Sequence, residues 1–74
     1  MNKLTELKNQ LVLVNYQNKN NNTNEQSGQI IEVDTNKIVL QIDDNGCVNI
    51  ARGKINYISD ASLSIVWRRE VVQS

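Results

Sequence analysis

The 74-residue chain contains no histidine, no phenylalanine, no proline and a single cysteine. Each absence narrows what the protein can be. With Cys47 alone, no disulfide can form within the chain, which suits a reducing cytoplasm better than secretion. Without histidine, the adjacent Asp43 and Asp44 do not make a metal site. No residue set assembles a nucleophile with a base, and there is no Gly-rich phosphate loop. The chain therefore reads as non-enzymatic, with no metal and no cofactor. The opening MNKLTELKNQ has no apolar run of signal-peptide length, and no segment approaches the ~20 apolar residues of a membrane span. A cytoplasmic protein that does not associate with membranes is expected.

An excess of one charge is also lacking, because eight basic residues balance eight acidic ones. A monomer that grips nucleic acid by charge alone usually carries a clear basic surplus. Size sets a further limit, since a domain this short buries only about 60% of its unfolded surface. With disulfides excluded, oligomerisation is the expected staple. Asparagine, in contrast, is abundant, including the tract NKNNNTNE. Such usage points to an AT-rich genome, that of a low-GC bacterium or its phage.

What is present is mainly strand pattern. Leu4, Leu7 and Leu11 share a helical face behind Asn2, a residue type suited to an N-cap, so the spacing predicts a short helix over residues 2–10. LVLVNYQ (11–17) then alternates, with Leu11, Leu13 and Asn15 on one side and Val12, Val14 and Tyr16 on the other. Residues 18–27 contain no apolar side chain and read as a flexible Asn-rich loop. GQIIEVD (28–34) is the second strand, with Gly28 as a bend or close-approach point, and Asp34-Thr35-Asn36-Lys37 is the turn after it. KIVLQID (37–43) is the third strand, and Asn45-Gly46 signals a tight hairpin. CVNIA (47–51) is the fourth, Arg52-Gly53 a turn, and KINYIS (54–59) the fifth. Cys47 reads as a small core residue. In the 60–74 extension, Leu63, Ile65 and Trp67 alternate as in a strand, while Leu63, Val66, Trp67, Glu70 and Val71 share a helical face; β-branched content favours the strand. Trp67 reads as a packing anchor. The expected fold is mainly β: a short N-terminal helix, a five-stranded strongly bent barrel over residues 1–59, and an extra strand or helix at the C-terminus.

Gly28, Ile30, Val33, Asp34, Ile38 and Leu40 form one motif, a Gly with alternating apolar residues and an Asp six positions later. Ile50, Arg52, Gly53, Ile55 and Ile58 form a second, an apolar strand running into Arg-Gly and then Ile-x-x-Ile. Together with the order helix, five strands, acidic turn and basic turn, they make residues 4–59 resemble the Sm-like (LSm, Hfq-like) family of SH3-like barrels. Hfq-like members carry Tyr-Lys-His where this chain has Ala51-Arg52-Gly53. The resemblance implies a ring of six or seven copies, in which the fourth strand of one protomer pairs with the fifth of the next. A ring would also repeat Lys37, Arg52 and Lys54 around one pore, so that a neutral protomer makes a basic rim.

Asp34, Thr35, Asn36, Lys37, Arg52, Gly53 and Lys54 are therefore the candidate RNA-binding residues. Asn36 and Lys37 are suited to base edges, and Arg52 to a base or phosphate. The bland alternatives are an Asx-type turn at 34–37, and at 52–53 a solvated Arg beside a Gly needed for positive φ. The expected function is a ring-forming protein that binds single-stranded RNA or another nucleotide-containing ligand. The alternative is a structural or protein-binding module whose 60–74 tail docks a partner. Balanced charge and the missing Tyr and His favour the alternative; Lys37 and Arg52-Gly53 favour the first.

Overall fold

The computed structural model describes residues 4–69. Six strands, β1 (Leu11–Gln17), β2 (Thr23–Val33), β3 (Lys37–Asp43), β4 (Gly46–Ala51), β5 (Ile55–Ser59) and β6 (Ile65–Arg68), form one antiparallel sheet. Among the described residues its order is β4-β3-β2-β1-β5-β6, with β4 and β6 at the edges, so in place of the expected five-stranded strongly bent barrel there is a six-stranded sheet that is not closed. In a flat sheet β4 and β5 would lie four spacings apart, roughly 19 Å at ~4.8 Å each. The three residues Arg52–Lys54 that join them span at most ~14 Å. The sheet must therefore curl around its core.

That core follows the alternation. Val12 and Val14 of β1 are buried, as are Ile30, Ile38, Leu40, Ile50, Ile55 and Ile58 from the other strands, with Leu4 and Leu7 closing one side. Tyr16, Val33, Val48, Val66 and Trp67 pack against this cluster. Trp67 is thus an anchor of its own domain, paired across from Ile58. Cys47 does not join the core: β4 is an edge strand, and the Cys47 side of it is exposed.

The helix expected over 2–10 is a single 3-10 turn, Leu4–Leu7; residues 2 and 3 lie outside the described residues. A segment this short cannot nucleate an α-helix alone, and Leu4 and Leu7 need only an i,i+3 turn to be buried. Asn9, at φ 71°, ends it. The backbone then turns outward to bond strand β2: the Asn9 amide donates to the Ile30 carbonyl, and the Ile30 amide to Gln10.

The Asn-rich segment is also shorter than expected. β2 begins at Thr23, opposite Gln17, and Thr23–Ser27 extend the β1 ladder although they contain no apolar residue. Backbone pairing needs no side-chain burial, and β1 leaves its N–H and C=O groups to be satisfied there. The remaining turn is held by Asn18, whose Oδ1 accepts the amides of Asn20 and Asn22, with Asn21 in left-handed geometry.

β2 changes partner midway, pairing with β1 through Gln29 and with β3 from Gln29 to Val33, with an irregularity between Ile30 and Glu32. Gly28 sits at this crossing, where a Cβ would collide with the carbonyl oxygen of Gln41. The β3–β4 hairpin closes through Asp44 and Asn45, with Asp43 opposite Gly46. Neither Asn45 nor Gly46 adopts positive φ; the Asp43 carboxylate instead accepts the Asn45 amide at 2.8 Å. The strand favoured for the C-terminal extension is present as β6, and the alternative helical face through Glu70 and Val71 lies outside the described residues.

Candidate nucleic-acid interface

The β2–β3 turn closes when the Asp34 amide donates to the Lys37 carbonyl at 2.8 Å. The Asp34 carboxylate accepts the Thr35 amide, also at 2.8 Å. These bonds close 34–37 as the turn expected of its composition, although the Asp34 carboxylate accepts the next residue's amide and not, as in an Asx turn, the amide two residues on. Its outward carbonyls need donors, and Arg52 supplies them from 18 residues away. The Arg52 amide donates to the Asn36 carbonyl at 2.9 Å. Its Nη1 donates to the carbonyls of Asp34 at 3.2 Å and Thr35 at 3.5 Å.

All seven candidate residues are therefore brought into one corner, where the β2–β3 turn meets the 3-10 turn between β4 and β5. Lys37 begins β3 and lies opposite Ala51, the residue before Arg52. Lys54 is exposed, while Lys37 and Arg52 are half-buried. Gly53 is placed differently from its expected role. Its φ is not positive and a Cβ would meet nothing within 4 Å, so no backbone constraint requires glycine.

Arg69 joins the same corner, donating from Nη1 to the Gly53 carbonyl at 2.6 Å and from its amide to Asn56 at 3.2 Å. Sequence reasoning left Arg69 with the tail. The pairing of β6 with β5 carries it back, and no local pattern encodes that pairing. Among the described residues, Lys37, Arg52, Lys54 and Arg69 form no ion pair with a carboxylate.

A polar row on the sheet face was likewise not anticipated. Glu25, Asn15, Tyr57 and Arg68 lie directly across from one another on β2, β1, β5 and β6. Asn15 is 9% exposed. It accepts from Asn56 Nδ2 at 2.8 Å and donates to Glu25, which also accepts from the Tyr57 hydroxyl. The row was hidden because Glu25 sits in the stretch that reads as loop.

At the other end of β5, Asp60 organises the loop to β6. Its Oδ1 accepts the Ser62 hydroxyl at 2.6 Å, the Ser62 amide at 2.9 Å and the Ser64 amide at 3.1 Å. The Ser62 hydroxyl and then the Ser64 amide are the main causes that hold the Asp60 carboxyl below its ordinary value. Among the described residues there is no cluster of three or more His, Cys, Asp or Glu able to hold a metal, and no helix long and apolar enough to cross a membrane.

Compared with protein-family models, curated proteins and solved structures, the chain has no significant match. Any functional assignment therefore rests on the corner itself.

Proposed function

We propose that this chain is a binding module for single-stranded RNA, or another nucleotide-containing ligand, at the corner formed by Asp34–Lys37 and Arg52–Lys54. The observation that carries the reading is the Arg52 clamp. It draws the two turns together and sets Lys37, Lys54 and Arg69 beside it with no carboxylate paired to them. Cations left without anionic partners attract phosphates, and the contact is local, so it does not need a basic chain overall. Exposed Thr35 and Asn36 offer hydrogen-bonding groups to unstacked base edges. Arg52 uses one terminal nitrogen on the turn, which leaves the rest of its guanidinium for a phosphate or base.

The reading includes a homo-oligomer that repeats this corner, a ring of six or seven in the Sm-like resemblance. The outer edge of β5 is paired with β6, so such a ring would have to close between the open edges of β4 and β6. β4 carries no charge and no proline, the usual protections of an edge strand.

The test is fluorescence anisotropy with short labelled oligonucleotides against a Lys37→Ala/Lys54→Ala double variant, after light scattering for mass. Loss of two phosphate contacts lowers the slope of log affinity on log salt by about 1.4 for a single strand. An unchanged affinity and slope would remove the corner as the site; a wild-type protein that binds no oligonucleotide would remove the function.

The protein-binding reading is favoured by a different observation, an apolar groove beside the Asp60 loop. The version in which the tail docks a partner is weakened by Val66 and Trp67, which are packed on their own core.

A further inference from the structure

The polar row on the sheet face is built around a buried amide. Asn15 follows core-facing Val14 and stands on the outward side of β1, yet it is only 9% exposed. Tyr57 accounts for the burial. It lies on β5, and its hydroxyl donates to Glu25 on β2 at 3.5 Å, with β1 between them. Two strand spacings, roughly 10 Å at ~4.8 Å each, separate the two residues. The tyrosine side chain therefore runs along the sheet face above Asn15. One face of its ring is turned to the sheet and the other to solvent, in keeping with its half-buried state.

Glu25 is fixed by the same residues. Asn15 Nδ2, at 3.4 Å, and the Tyr57 hydroxyl both donate to its Oε2, and Asn15 is itself held by Asn56 Nδ2 at 2.8 Å. Its Oε1 takes no hydrogen bond from the described residues, and none of their cations pairs with the carboxylate. An ionised carboxylate can only accept. Glu25 is thus an oriented acceptor beside an open aromatic face. At the other end of the row, exposed Arg68 lies across from Tyr57. The next residue, Arg69, joins the row to the corner, since its amide donates to the Asn56 carbonyl and its guanidinium to Gly53.

We propose that the row is the base subsite of the corner and that it selects guanine. The inference rests on the corner reading and adds to it a place for the base. Acceptor, aromatic face and arginines follow one another across the strands, in the order in which a nucleotide presents base edge, base plane and phosphate. Stacking on an open aromatic ring holds any base, so Tyr57 supplies affinity and Glu25 the choice. Guanine carries two adjacent donors on its Watson–Crick edge, which two carboxylate oxygens accept together. Uracil sets its single donor between two carbonyls that a carboxylate repels. Arg68 stands three spacings from Glu25, roughly 14 Å at ~4.8 Å each, so the phosphate is drawn away from the carboxylate.

Anisotropy with short labelled oligouridylates, with and without one guanosine, tests the inference, with circular dichroism to confirm the fold of each variant. Wild type is expected to bind the guanosine-containing strand about tenfold more tightly, the discrimination of one bidentate contact. Glu25→Gln abolishes that preference without lowering affinity for oligouridylate, because an amide offers one acceptor where the carboxylate offered two. Tyr57→Leu weakens binding of both strands, because the stacking face is lost. A wild type that binds both strands equally, with the corner's salt slope intact, overturns the guanine subsite and leaves the corner standing. So does a Glu25→Gln variant that keeps the preference, or a Tyr57→Leu variant that binds like wild type. Binding of neither strand removes the corner and the subsite with it.

Discussion

The two ends of β5 are built on the same device with opposite chemistry. At its start, Arg52, which can only donate, gathers the carbonyls of Asp34, Thr35 and Asn36. At its end, Asp60, whose carboxylate can only accept, gathers the Ser62 hydroxyl and the amides of Ser62 and Ser64. In each case one charged side chain satisfies the backbone or hydroxyl groups that a loop would otherwise leave to water. What the two loops then present differs. The first surrounds its pin with Lys37, Lys54 and Arg69; the second holds out Leu63. A charge that organises a loop need not announce what the loop binds.

Gly28→Ala tests the frame beneath the apolar end and carries the largest expected effect. The new methyl must displace the Gln41 carbonyl where β2 crosses β3, and overpacking of this kind costs about 1–3 kcal/mol. The urea midpoint should fall accordingly at constant slope, and a shift indistinguishable from zero would mean that the crossing relaxes freely.

Arg52→Ala breaks the pin at the other end, where two exposed charge-assisted bonds are lost, for about 1 kcal/mol. Faster amide exchange should be confined to residues 34–37, with the Asp60 loop unaffected. Arg52→Lys should restore part of the protection, because both bonds come from a single terminal nitrogen whose place a lysine ammonium can take.

Acid separates the two pins with the smallest effect. The folded Asp60 carboxyl titrates below its ordinary value, so the bonds it makes contribute fully above the ordinary carboxylate range. Their contribution is lost as pH falls through the depressed value. The Ser62 and Ser64 amide resonances should move in that range, while the Arg52 amide, bonded between groups that do not titrate there, stays in place. Movement of all three together would point to global acid unfolding instead.

Much of this was legible beforehand, where the signal is local. The alternation of LVLVNYQ and KIVLQID marks β1 and β3 at their observed bounds, since a half-buried strand must alternate. The turns at 34–37 and 52–54 were evident from their residue types. Thr23–Ser27 was not, because a strand segment that is polar on both faces has no hydrophobic period to read. Nor was the exposure of Cys47, which depends on β4 being an edge. The alternative of a positive φ at Gly53 does not hold, while Leu63 adopts one that its residue type argues against.

By itself, then, the sequence determined the strands whose apolar residues alternate, the turns between them, and that Trp67 needs a hydrophobic partner. These follow from side-chain alternation and turn chemistry, which act over a few residues. Only the tertiary structure decided that β6 covers β5, that Arg52 and Arg69 meet at one corner, and that Leu11, Ile42 and Leu63 meet at the other. Those choices depend on which backbone edges find partners once the sheet curls, and contacts between residues so far apart leave no trace in local sequence.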